Sequence, residues 1–182
     1  MFSSDLFVAV GLRAESRVAE TLGTLPPPWQ SFPTIEWRHL EHHGESVGEA
    51  DLVVFHPHHG LIVFEIKAGA VKVQDGKWFY ASGLAMKQSP FAQARRNRYA
   101  LIDKLRQRLG RDAADALTVT HAVWFPDVLW KGSLPGIEAP SRAFLLDRAA
   151  LADPAADGVV VFDIGGGSTE IVWMGGRDEA RD

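Results

Sequence analysis

Two short apolar runs, Leu52-Val53-Val54-Phe55 and Leu61-Ile62-Val63-Phe64, set the pattern of this chain. Each is too short for a helix and too continuous for a half-exposed strand, so both read as strands buried on two faces. The segment Pro57-His58-His59-Gly60 between them reads as a turn, which makes Asp51–His56 and Gly60–Lys67 the arms of an antiparallel hairpin. Upstream, Leu12, Glu15, Val18, Ala19 and Leu22 recur at helical spacing, predicting a helix from about Leu12 to Leu25 that Pro26-Pro27-Pro28 stops. A strand over Thr34–Leu40 follows, leading into a polar loop through His42-His43-Gly44-Glu45. Downstream, Val71–Val73 and Trp78–Tyr80 flank Asp75-Gly76, a two-residue hairpin signal. Ser89 as N-cap and Pro90 in the first turn open a helix that runs to about Arg111, with Phe91, Ala94, Leu101, Leu105 and Leu109 as its apolar side. Thr118–Phe125 and Arg142–Leu146 read as strands that extend the sheet. Helices before and after a central hairpin, with later strands returning, predict an α/β sandwich. No internal repeat is visible.

Charges interrupt these strands at three places, Asp51, Glu65 and Lys67. Burying an unpaired charge costs several kcal/mol, roughly, so such charges usually belong to a site. Side chains alternate along a strand, which puts Glu65 and Lys67 on one face and Phe64 and Ile66 on the other. Asp51 joins them only in a register such as Phe55 facing Leu61; a slip of one residue sends it to the opposite face. Two carboxylates beside an ammonium suit Mg2+ or Mn2+, which take oxygen ligands. The lysine would orient or deprotonate an attacking water and stabilise charge building at phosphorus, which is the chemistry of phosphodiester hydrolysis. The plainer reading is a strand end where Glu65 and Lys67 are solvated and Asp51 caps a turn.

With these stretches in view, the chain from about Arg13 to Asp147 resembles the NERD (nuclease-related) domain, a branch of the PD-(D/E)xK restriction-endonuclease-like nucleases. The resemblance rests on Ala14-Glu15-Ser16-Arg17-Val18, Gly48 to Val54, Gly60 to Lys67, Trp78, and Ser89-Pro90-Phe91-Ala92-Gln93-Ala94. It implies a restriction-endonuclease-like mixed central sheet flanked by helices. It also implies a Mg2+- or Mn2+-dependent nuclease site made of Glu15, Asp51, Glu65, Lys67 and Gln93, with Glu15, Asp51 and Glu65 as metal ligands. On the first helix Glu15 lies in the core-facing stripe, whereas Glu20 is about 140° away around the axis; an ordinary carboxylate at the positive end of the helix dipole is the other reading of Glu15. Gln93 sits in a first helical turn, where its amide would meet a metal-bound water or a phosphate, or simply solvent.

Charge adds a second feature. From Pro90 to Arg111 seven basic residues, Arg95, Arg96, Arg98, Lys104, Arg106, Arg108 and Arg111, face one acid, Asp103, so the segment carries +6 in a chain of net −4 and the remainder carries −10. A basic helix beginning beside a metal site suits contact with a nucleic-acid backbone through Arg95, Arg96, Arg98 and Lys104. The same pattern fits an amphipathic helix with solvated arginines, and both can hold. The acidic balance elsewhere favours local contact over a general nucleic-acid coat.

The 182 residues, 46% hydrophobic, suffice for one compact domain with a small appendage. With no cysteine, disulfides and thiolate metal sites are excluded. The N-terminus has no signal-peptide pattern and no run of about 18 apolar residues occurs, which suggests a cytoplasmic protein without membrane contact. Seven histidines cluster around turns, at His39, His42, His43, His56, His58, His59 and His121; adjacency of His58 and His59 and the lack of cysteine argue against zinc. Trp29, Trp37, Trp78 and Trp124 read as packing residues.

The C-terminal run Val159–Val172 reads as strand, glycine turn and strand, and it resembles the phosphate-binding segment of exopolyphosphatase-type members of the actin-like ATPase superfamily. That likeness implies phosphate contact at Gly165, Gly166, Gly167, Ser168 and Thr169, since glycines let backbone N–H groups approach phosphate. The two large domains of that superfamily do not fit in the remaining length, and a simple C-terminal hairpin is the alternative. The expected organisation is a nuclease-like domain over 1–155, the hairpin segment over 156–174 and a disordered tail over 175–182. The expected function is DNA hydrolysis. The rivals are a non-catalytic DNA-binding module of a larger DNA-processing or defence assembly, and a phosphate-binding protein using Asp163 to Thr169. A helicase or kinase acting in trans is the partner that the NERD resemblance implies besides DNA.

Overall fold

A computed structural model of the chain describes residues 4–41, 44–136, 138, 144–151, 159–165 and 168–174. A five-stranded mixed sheet is built from β1 (Gln30–Glu41), β2 (Gly44–His56), β3 (Gly60–Ile66), β6 (Val119–Trp124) and β7 (Leu145–Leu146), in that order. The first three strands form an antiparallel meander, while β6 and β7 run parallel to β3. The crossover from β3 to β6 carries a separate hairpin, β4 (Val71–Gln74) with β5 (Lys77–Tyr80), then helices α2 (Pro90–Leu109) and α3 (Arg111–Asp115). Helix α1 (Ser4–Gly23) precedes the sheet. The predicted α/β sandwich is therefore present, with β3 at its centre.

The register is the one the site requires: Phe55 faces Leu61 and Leu52 faces Phe64, which sets Asp51 level with Glu65. All seven β3 residues are buried, because helices cover both faces. On one face Leu52, Val54, Ile62, Phe64, Ile66 and Trp124 pack against Ala14, Val18 and Leu22 of α1. On the other, Val53, Leu61, Val63 and Val119 meet Leu101 of α2, and Val123 meets Phe91 and Ala94. Trp37, Trp78 and Trp124 are buried, as their packing role predicts.

The helix stripes differ from expectation in detail. α1 starts two turns earlier than Leu12, since only Gly11 weakens that stretch. Its buried stripe is Ala14, Val18 and Leu22; Leu12 is 58% exposed, so the apolar face is rotated and Glu15 stands at its edge. In α2, Leu109 is 53% exposed, because the helix ends beyond the sheet it covers. Gly110 stops α2 just before Arg111. The Asp75-Gly76 turn forms as predicted, both residues having positive φ. At the C-terminus β8 (Val159–Gly165) pairs with β9 (Ser168–Met174) in a two-stranded sheet of its own. Gly166, Gly167, His42, His43 and the 175–182 tail lie outside the described residues. No described helix is long and apolar enough to cross a membrane.

Candidate active site

Strand parity brings Glu65 and Lys67 to one side of the sheet end, where Lys67 Nζ forms an ion pair with Glu65 Oε1. Lys67 lies one residue past β3, held by its backbone N–H donating to Trp124 O at 3.0 Å. Glu65 is 0% exposed, which removes the reading of a solvated strand end. Asp51 Oδ2 accepts from the Ile66 backbone N–H at 2.6 Å. The β1–β2 ladder opens at this step: Pro33 pairs with Leu52 and Ile35 with Ala50, while Thr34, with φ of 50°, leaves Asp51 unpaired. A left-handed threonine is costly, and here it frees the chain beside an acidic cleft.

That cleft, of about 330 Å³, is lined by Glu15, Ser16, Ala19, Glu20, Thr34 and Asp51 among others. Glu15 is half-buried at its wall. The charges in this region perturb one another. Burial and the Asp51 charge push the Glu65 carboxyl up to about 7, against the pull of Lys67 and Arg96. Burial likewise raises Asp51, opposed by the Ile66 N–H and Lys67. Glu15 is raised by burial, then by Asp51 and Glu49. Burial acts to lower Lys67, but Glu65 and Asp51 outweigh it and its pKa rises. Asp51, Glu65 and Lys67 thus lie at one end of the sheet, and Glu15 lines the cleft beside Asp51.

Three carboxylates forced up by burial and mutual repulsion are the donor chemistry that a hard divalent cation relieves. Asp51 and Glu65 fit such an ion by their placement level with each other on adjacent strands. Among the described residues no three Asp, Glu or His side chains converge as a ready ligand cluster. Glu65 Oε1 is turned to Lys67 and Asp51 Oδ2 to the Ile66 N–H, so binding an ion requires these contacts to rearrange.

α2 supplies a residue that the sequence reading passed over. Asn97 is 2% exposed and its Nδ2 donates to Glu65 Oε2 at 3.2 Å, so Glu65 is clasped from both sides. The sequence shows only a gap in the apolar stripe of Phe91, Ala94 and Leu101 where an amide stands, with no sign of what that amide touches. Gln93, one turn before Asn97 on the same side of the helix, is half-buried in the first turn, which Ser89 caps by accepting from the Ala92 N–H at 3.0 Å. A second such residue is Asp127, which pairs with Arg17 and accepts from the Gly69 N–H at 2.6 Å, tying the loop after Lys67 to α1.

The basic residues divide along α2. Arg106 is paired with Asp103 and Asp115, and Lys104 Nζ donates to Gln107 Oε1 at 3.4 Å. Arg96 acts on Glu65, while Arg95 and Arg98 act on His121. The site therefore meets the N-terminal half of the helix, and Lys104 lies two turns away. The rings of His56, His58 and His59 gather with Trp29 at the far end of the β2–β3 hairpin. Gly165, Ser168 and Thr169 sit where β8 meets β9.

The family model described as NERD, nuclease-related domain, matches residues 10–126, more than half of the 182-residue chain. No curated protein and no solved structure matches significantly.

Proposed function

The chain belongs to the NERD, nuclease-related, family, and from that membership we propose that it is a metal-dependent nuclease hydrolysing phosphodiester bonds in DNA. The observation that carries the reading is Glu65, fully buried between Lys67 and Asn97 and level with Asp51 at the open end of the sheet. Asp51 and Glu65, with Glu15 from the facing helix, are the oxygen donors for Mg2+ or Mn2+. The cation, when bound, polarises the scissile phosphate and lowers the pKa of the attacking water. Lys67, whose pKa is raised by its acidic neighbours, serves as a fixed cation against charge developing at phosphorus and not as a proton acceptor at neutral pH. Gln93 contacts a phosphate oxygen from the start of α2. Arg95 and Arg96 hold the incoming backbone, with Arg98 behind them and Lys104 farther along.

A DNA-binding module that does not cut is the second reading, favoured by the absence of a ready three-ligand cluster among the described residues. Supercoiled plasmid incubated with Mg2+, Mn2+ or EDTA separates the two. Nicking that needs metal and falls at least a hundredfold in Lys67→Ala, roughly, is expected; salt-sensitive DNA retention with no cutting under any metal establishes the module instead.

A further inference from the structure

One half-buried imidazole has no place in the hydrolytic scheme. His121 lies on β6 directly beside Val63 of β3, on the sheet face that α2 covers. Its ring stacks on Phe144, with centroids 5.9 Å apart and planes at 9°. His121 Nδ1 is buried without a hydrogen-bond partner, and so is Arg98 Nε. Buried nitrogens without partners are rare, and each calls for a reason. The guanidinium of Arg98 lies over the Tyr99 ring, 5.2 Å from its centroid, and Arg95, three residues earlier on the helix, is exposed.

The distribution of countercharge sharpens the point. Farther along α2, Arg106 has two carboxylate partners, and on α1 Arg17 has Asp127. Among the described residues no ion pair takes up Arg95 or Arg98. Burial pushes the pKa of the imidazole down to about 4, and Arg98 and Arg95 add to that push. Two cations beside a neutral imidazole with an open nitrogen, with no carboxylate among the described residues acting on that ring, are chemistry suited to an anion.

We propose that Arg95, Arg98 and His121 form a second phosphate subsite, which holds a backbone phosphate of the nucleic acid next to the one that is cut. This rests on the nuclease reading for the identity of the anion. Sheet geometry sets the spacing: Glu65 faces Val123 and His121 lies two residues earlier on β6, so the two positions are roughly 8 Å apart, a separation of the order of one nucleotide. The ring keeps partial exposure beside the exposed Arg95, which leaves an approach from solvent. A phosphate there accepts from the two guanidiniums and from the imidazole, which gains a proton as the anion arrives. Binding therefore strengthens as pH falls, because the bound anion favours the protonated ring that the arginines alone disfavour.

The test uses the full chain in EDTA, so that binding is read without chemistry. The histidine ring resonances are followed by NMR while inorganic phosphate, and then a short DNA duplex, is added. The His121 signal is expected to shift with both probes and its pKa to rise. His121→Phe, which keeps the stack on Phe144, and Arg98→Gln should each weaken duplex retention roughly tenfold and reduce the salt slope by about one unit. Thermal melts establish that both variants fold, and Arg98→Gln, at a half-buried position, decides the matter if His121→Phe does not. A His121 signal unmoved by phosphate and by DNA, or Arg98→Gln binding the duplex with unchanged affinity and salt slope, overturns the subsite. Metal-dependent nicking that survives such a result leaves the nuclease reading intact, and a His121 response without nicking under any metal sinks only the nuclease.

Discussion

Glu65 is held by two donors of different kinds, an ammonium at Oε1 and the Asn97 amide at Oε2. Lys67 has a charge to offer, but Asn97 fixes direction, since a planar amide anchored in a packed helix stripe cannot follow a wandering carboxylate. Replacing Asn97 with leucine keeps the volume and removes the donor. A carboxylate oxygen left buried without its partner costs about 1–3 kcal/mol, and loss of an orienting contact behind a metal ligand lowers metal affinity about 10- to 100-fold. Isothermal titration of Mn2+ into wild type and Asn97→Leu reads the second effect and urea unfolding the first. An unchanged Mn2+ affinity would show that Asn97 only fills space. Glu65 and Lys67 were legible in the sequence because a strand repeats every two residues, so one register assumption placed Asp51 with them. Asn97 was not, because helical periodicity tolerates one polar residue in a stripe and gives no sign of what it touches across the chain.

Elements carry the same residues into register. Gly60 opens β3 with φ of +89°, and a Cβ there would run into the carbonyl of Thr118, the group that accepts from the Leu61 N–H at 2.8 Å. The β3–β6 seam thus starts at a backbone contact that only glycine permits. Gly60→Ala meets both left-handed strain and a collision with main chain, so a loss of about 2–4 kcal/mol is expected, read as a lower urea midpoint with an unchanged m-value. Full stability in that variant would mean that the seam closes in some other way. The hairpins on either side of this seam were readable from turn residues and apolar runs. The rotation of α1 was not, since Leu12, Val18 and Leu22 satisfy helical spacing nearly as well as Ala14, Val18 and Leu22. The sheet face that Ala14, Val18 and Leu22 meet is built from Leu52, Val54, Ile62, Phe64, Ile66 and Trp124, residues far along the chain. The parallel placement of β7 depends likewise on where a two-residue strand docks, which local pattern cannot convey.

At the scale of the whole molecule, buried titratable groups pull stability in opposite directions with pH. Glu65 is raised from 4.5 to about 7, so the stability it contributes is full below about 4.5 and is lost as pH climbs through about 7. The full shift is worth roughly 3 kcal/mol. His121 works the other way: its folded pKa of about 4 lies below the unfolded 6.5, so folding is penalised at low pH and relieved as pH rises to 6.5. Lys67, raised above 10.5, stays charged in both states across this range and contributes no slope. The melting profile of the wild type alone is therefore blunted by cancellation, and comparison with Glu65→Gln isolates the carboxyl, since the neutral side chains match at pH 5. In EDTA, wild type should lose up to about 3 kcal/mol relative to Glu65→Gln between pH 5 and pH 8. Saturating Mn2+ should reverse that loss at pH 8 in wild type but not in the variant, because a cation takes the place of the missing proton. Parallel melting profiles for the two proteins in EDTA would mean that Glu65 ionises freely in the fold, and the carboxylate cluster would then have no need of a metal.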